Sequence, residues 1–337
     1  MLSILSISYL FLGGAGAGAL FLLTVLDIRS PWASSATSVS SQFEQRTYKT
    51  RRLSTQRRQG KQRLPSFDPQ LAYRGLFSAG YGAGFVVLAL GTLCLLADLG
   101  RVDRVLLLFM YPTSSLVSLG TYALTLLMLS STVLAAIWLF CIRVTHRWII
   151  NTLRGVILFL SMLIMLYTGL LFQSMGTGLL IGSVLIPILF VLSSLSTGSA
   201  VLFIVFSLTR GAQGFRGTNN KLLRVDFIII ALEILITCAL VIQALLTTGF
   251  AQTTQAVLEG SEAMVFWLGF VACGLIVPFL FELLQWRGWK NLLRQSDTYL
   301  SFVLVAALVL IGGFCLRWCV VMVGFPIFDT FVTVIGG

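Results

Sequence analysis

Histidine is almost missing from this chain: His146 is its only one. A membrane b-type cytochrome holds its haem between axial histidines, so a bis-histidine haem is excluded. His146 stands beside Arg147 at a helix boundary, the place of an interfacial or capping residue. Charge is scarce too, at 10% of 337 residues against about 25% in soluble domains. Acidic residues are the rarer sign, 12 against 23 Lys and Arg, for a net charge of +11. The six cysteines, Cys94, Cys141, Cys238, Cys273, Cys315 and Cys319, fall in apolar runs without a CxxC, which argues against an iron-sulfur cluster, a covalent haem or another metal within the chain. What is abundant is apolar surface: 57% of residues are hydrophobic and mean hydropathy is +0.95. An ordinary soluble enzyme is thereby excluded, and the solvent is lipid.

Runs near 20 apolar residues, enough to cross a bilayer, occur at 2–26, 75–97, 119–142, 148–171, 182–208, 223–246, 264–284 and 299–323. The expectation is an all-α integral membrane protein of eight transmembrane helices. The basic residues lie between these runs, which the positive-inside rule explains without nucleic acid as a partner. Ten Lys and Arg separate the first two spans, and further groups follow spans three, five and seven. The connections after spans four and six have none, and Arg101 and Arg104 after span two are offset by Asp98 and Asp103. Both termini are therefore expected outside, with residues 28–74 a basic, Ser-rich cytoplasmic loop and 324–337 an extracytoplasmic tail. The first span, with no basic residue before it, reads as a retained helix rather than a cleaved signal. Gly16-Ala-Gly-Ala-Leu-Phe21 in span one and Gly198-Ser-Ala-Val-Leu-Phe203 in span five suggest parallel repeats. Spans 1–27 with 75–171 would form one four-helix bundle and 182–323 the other. Chance similarity between apolar helices remains the alternative.

A few residues break the apolar pattern. Glu233 lies near the middle of span six, where a carboxylate is costly and by default functional, with Gln243 further along the same span. It is read either as a proton relay or as a hydrogen bond holding helices together. Arg317 sits in the last third of span eight and Asp98 ends span two, each open to a structural or a functional role. Asp226 and Glu282, close to span ends, read as interfacial or snorkelling groups. Gly14xxxGly18 permits close helix packing, or a backbone surface against a flat ring. Its match to GxGxxA through Gly14, Gly16 and Ala19 lacks a preceding strand and carries no dinucleotide reading.

Taken in order, Leu12-Gly-Gly-Ala-Gly-Ala-Gly18, Ala97-Asp-Leu-Gly100 with Arg101 and Arg104, Pro112-Thr-Ser-Ser-Leu-Val-Ser-Leu-Gly120, Tyr167-Thr-Gly169, Pro187 with residues 193–200, and Gly312-Gly-Phe-Cys-Leu-Arg317 resemble the NrfD/PsrC family, the polysulfide-reductase-type membrane subunit. The resemblance touches every span except the sixth and seventh. It implies a haem-free, quinol-interacting subunit of the inner (cytoplasmic) membrane. Its partners would be an extracytoplasmic four-cluster iron-sulfur protein and a molybdopterin oxidoreductase that holds the catalytic centre. The long basic first loop departs from the family, and only Ser6, Ser8 and Tyr9 stand where some members offer a polar quinone ligand ahead of the glycine run.

With the termini outside, Asp98, Tyr167 and Arg317 fall toward the outer ends of their helices, as do the glycine run, Pro112 and Ser114. They are expected to gather in an apolar pocket suited to menaquinone or ubiquinone as bound substrate. Tyr167 would hydrogen-bond a quinone oxygen, Asp98 accept a proton and Arg317 balance charge, with Gly14, Gly16, Gly18, Pro112 and Ser114 as lining. Eight helices in parallel repeats with an intramembrane Glu233 also suit a secondary transporter, and a membrane anchor without a quinone site is a third reading. The topology is tested by cysteine labelling in intact cells: a cysteine introduced at Gly336 should react with an impermeant reagent and one at Ser54 should not. The reverse pattern would move the pocket to the cytoplasmic side.

Overall fold

The computed structural model describes residues 4–29, 69–99, 116–140, 147–175, 183–208, 216–246, 263–286 and 297–324. They form eight apolar helices, each long enough to cross a membrane, and among the described residues there is no strand. We label them α1 (Ile4–Arg29), α2 (Pro69–Leu99), α3 (Leu116–Phe140), α4 (Arg147–Met175), α5 (Leu185–Leu208) and α6 (Arg216–Leu246). Next, α7 begins as a π-helical stretch (Val265–Ile276) and continues as α-helix (Val277–Trp286), and α8 is Asp297–Gly324. Every expected span coincides with one of these helices to within a few residues. Helices are the available solution because lipid offers no partner to a backbone N–H or C=O. Pro112, Ser114, His146, most of the basic loop and most of the tail lie outside the described residues.

The two central helices are α1 and α5. In their apolar windows 72% of residues are buried, against 28–39% in the other six helices. Around α1, α2 and α4 pack against it while α3 bridges those two; α5 packs on α6 and α8, and α7 lies mainly along α8. Outward faces carry large apolar side chains such as Phe140, Trp148, Leu246 and Met264, which a bilayer covers at no cost.

What draws α1 against α5 is the absence of side chains. A Cβ added at Gly18 would strike the Ser194 carbonyl, and one at Gly198 would strike the backbone of Gly18 and Ala19. Gly14 lies likewise against Ser194, so residue number climbs together on both helices, as it must when two helices run parallel. On another face of α1, Gly16 admits the backbone of Leu88 of α2, where an added Cβ would lie 3.0 Å from its nitrogen. The glycine run thus packs α1 on two neighbours at once. Lipid tails are as apolar as leucine, so such close contact, rather than water exclusion, holds membrane helices together.

Two local features follow from single residues. Ser183 starts α5: its Oγ accepts the Leu185 N–H at 3.3 Å and its carbonyl accepts the Ile186 N–H at 3.2 Å. In α7 the Val277 N–H reaches back five residues to the Ala272 carbonyl, directly before Pro278, whose ring cannot continue an ordinary α-turn.

The crossing generates a prediction. Gly198→Val should lower the thermal unfolding midpoint of the protein in detergent, since overpacking costs about 1–3 kcal/mol and more where backbone is struck. Gly155→Ala, where nothing lies within 4 Å, should leave it unchanged. Equal midpoints for both variants would contradict the crossing as described.

Candidate functional site

Of the residues singled out in the sequence, the structure assembles two groups on opposite sides of α1. The first lies near the N-terminal end of α1, among α1 to α4. Ser6 Oγ donates to Asp98 Oδ2, tying α1 to the end of α2. One turn on, the Tyr9 phenol shares a hydrogen bond with the Tyr167 phenol of α4. Both tyrosines are buried while Asp98 is exposed. Glycines make room for the rings: a Cβ at Gly120 of α3 would strike the Tyr167 ring, and Gly13 lies 3.6 Å from the Tyr9 ring by the same measure. Ser6 and Tyr9, which stand where some family members offer a polar quinone ligand, are thus the partners of Asp98 and Tyr167.

The second group centres on Arg317, which is wholly buried. Its Nε donates to the Leu10 carbonyl at 3.2 Å, Nη1 to the Gly313 carbonyl at 2.8 Å and to Ser193 Oγ at 3.3 Å, and Nη2 to Ser194 Oγ at 2.9 Å. The Phe11 and Phe190 rings lie on it, each centroid 5.6 Å from the guanidinium carbon. Its charge is answered by Glu233, which also hydrogen-bonds Ser193. Ser193 therefore joins the guanidinium to the carboxyl. The expected gathering of Arg317 with Tyr167 and Asp98 is divided: Arg317 stands with Glu233 behind α1, one residue along from Tyr9.

The glycines expected to line the pocket meet protein instead. Gly14 faces Ser194 and Arg317, where an added Cβ would come 2.8 Å from Nη2; Gly16 faces Leu88, and Gly18 faces Ser194. Each glycine thus admits a neighbouring helix, and Gly14 lies against Arg317 itself. Glu233, 3% exposed, and Gln243 both lie along the α5/α6 seam. Gln243 Oε1 accepts from Ser183 Oγ at 2.9 Å.

Two buried clusters were not foreseen. Asp27 and Arg154 form a two-pronged ion pair, Nη2 to Oδ1 at 2.8 Å and Nε to Oδ2 at 2.9 Å. The Tyr81 hydroxyl donates toward Asp27 at 3.2 Å and Trp138 also bonds it. The signal available was Arg154 itself, since an arginine inside a span needs a partner. The second is Asp226 with Glu282: expected at an interface, both are buried and hydrogen-bonded to each other, and Ser199 Oγ donates to Asp226 at 2.6 Å. Burial between α5, α6 and α7 withdraws them from water despite their position near helix ends.

The comparisons with known proteins agree on one family. The family model described as polysulphide reductase, NrfD, matches residues 61–329. A protein from Haemophilus influenzae named Protein NrfD homolog is 25% identical over 180 residues, 52% of this chain and 53% of its own length. Protein NrfD of Escherichia coli is 26% identical over 174 residues, 51% and 52% of the two chains. The chain thus spans about half the length of these curated relatives.

The Arg317 centre yields a double-variant prediction. Arg317→Leu should destabilise the protein by about 3–5 kcal/mol, because it leaves Glu233 buried without its counter-charge. Adding Glu233→Leu should recover part of that loss in thermal unfolding, whereas simple additivity would show that the two residues do not act as a pair.

Proposed function

The chain belongs to the NrfD family, and from that premise we propose that it is the haem-free, quinol-interacting membrane subunit of a respiratory oxidoreductase. In this reading it sits in the cytoplasmic membrane with both termini outside. It anchors an extracytoplasmic four-cluster iron-sulfur subunit and, beyond that, a molybdopterin subunit that performs the terminal chemistry. The substrate within the membrane is menaquinol or ubiquinol.

The observation that carries the proposal is the phenol pair of Tyr9 and Tyr167, set beside Asp98 and Ser6 at the end of α1 that the charge count assigns to the outer face. A quinol needs an apolar slot with a few polar groups at its oxygens. Here a phenol can donate to or accept from the substrate oxygen, and the exposed Asp98 can take a proton and release it to water. Oxidation releases two electrons and two protons from the quinol. The electrons would go to the iron-sulfur partner subunit, and the protons leave by Asp98. The glycines and Arg317 act behind the slot, where close packing and a fixed guanidinium hold α1 in place.

Glu233 and Gln243 carry the second part of the proposal, a proton path. Glu233 is buried between Arg317 and Ser193, and Gln243 stands two to three turns further along α6. Their shared seam supports a relay of protons between the cytoplasm and an outer quinone site.

Tyr167→Phe and Asp98→Asn should each depress quinol oxidation by at least about 100-fold while the complex still assembles, since each removes a proton-handling group with little change of volume. Purification of wild type from native membranes should bring iron-sulfur and molybdenum-containing subunits with it. Wild-type rates in both variants would discard the slot, and a chain that purifies alone would discard the complex.

A further inference from the structure

The α5/α6 seam carries polar pairs at three depths. Ser183 meets Gln243, Ser193 meets Glu233, and Ser199 meets Asp226. Residue number climbs on α5 as it falls on α6, so these are three rungs of one antiparallel contact rather than scattered polar groups. From Asp226 to Gln243 the seam rises roughly 26 Å at 1.5 Å per residue, most of a hydrocarbon core about 30 Å thick. The ionisable groups among them are expensive at this depth and by default functional.

The rung nearest the loop end of α6 differs from the others. There Asp226 meets a second carboxyl, Glu282 of α7. Asp226 is 3% and Glu282 7% exposed. Two carboxyls can share a hydrogen bond only with a proton between them. Two further oxygens on this line have no hydrogen-bond partner among the described residues: Glu282 Oε2 and Ser196 Oγ, both buried. Ser196 lies three residues from both Ser193 and Ser199 on α5, so the three hydroxyls share a face. Asp226 and Glu233, seven residues apart on α6, are two turns apart on one face and interact electrostatically.

We propose that Asp226 and Glu282 hold one exchangeable proton and form the cytoplasmic intake of the seam, passing protons by Ser199 and Ser196 to Glu233. No bond other than O–H is made or broken: a proton enters from the cytoplasm at Glu282, and one leaves the pair toward Glu233. At Glu233 the route passes Arg317, whose fixed positive charge opposes a free proton and so favours transfer through Glu233 itself, and the proton is released along Gln243 toward the outer face. The Asp27–Arg154 pair, by contrast, is held by Tyr81 and Trp138 and braces α1, α2, α3 and α4. The intake rests on the quinol reading for its driving force, but its own proton can be seen without it.

The test uses the full chain with its partner subunits in proteoliposomes. Infrared spectra should contain a protonated-carboxyl band that shifts in deuterated buffer and is lost in D226N/E282Q but kept in E233Q. Quinol oxidation by the same complex in detergent should stay at the wild-type rate in D226N/E282Q, while in the proteoliposomes proton uptake from the cytoplasmic side falls about 100-fold. Ser196→Val, which leaves the pair intact, should slow uptake without removing the band, which guards against a double variant that merely misassembles. A band that persists in D226N/E282Q, or that never exchanges, overturns the intake. So does proton uptake that survives in both D226N/E282Q and Ser196→Val. Should wild type fail to oxidise quinol, the proposed function falls, and deuterium exchange of the band alone decides the intake.

Discussion

A guanidinium with no exposure, placed inside a membrane helix, is the constraint to which the rest of this structure answers. An unpaired cation at that depth costs several kcal/mol, so Arg317 must be surrounded by acceptors. It draws carbonyls from α1 and α8, hydroxyls from α5, two aromatic faces and the Glu233 carboxyl of α6. Four helices must converge within reach of one side chain. They can do so only where bulk is missing: Gly14 and Gly313 lie against Arg317, and Gly18 and Gly198 bring α1 and α5 together beside it. The glycines, the serines of α5 and the buried arginine are one device.

That device makes α1 a partition. Tyr9 turns toward α4 and Leu10 offers its carbonyl to Arg317, so consecutive residues serve the phenol site on one side and the cation on the other. A shift of α1 would be felt on both. In the proposed function this places quinol oxidation, with proton release at Asp98, among the first four helices and the transmembrane proton path among the last four. A helix held by glycine contacts on two faces connects them.

How much of this was legible depended on the kind of signal. Eight spans could be read because lipid imposes length and hydropathy on each helix separately. Glu233 and Arg317 stood out because charge is so rare in the apolar runs. That they meet could not be read, since helix rotation and packing partners are set by three-dimensional contacts: Glu233 and Arg317 are joined through Ser193, which the sequence marks only as one residue of the small 193–200 run. Asp226 and Glu282 were misjudged for the same reason. Position near a span end implies water only if no neighbouring helix covers it, and here α7 covers α6. The glycine run was ambiguous between packing and lining, and the neighbours that fill each missing Cβ favour packing.

The central claim is that a quinol ring is handled beside the Tyr9–Tyr167 pair, and photo-cross-linking with an azido-substituted quinone tests it most directly. After illumination of the purified complex, the account predicts label on peptides of α1 around Tyr9 and of α4 around Tyr167, suppressed by excess unmodified quinone. Label confined to the α5/α6 seam, or indifferent to competing quinone, would contradict it.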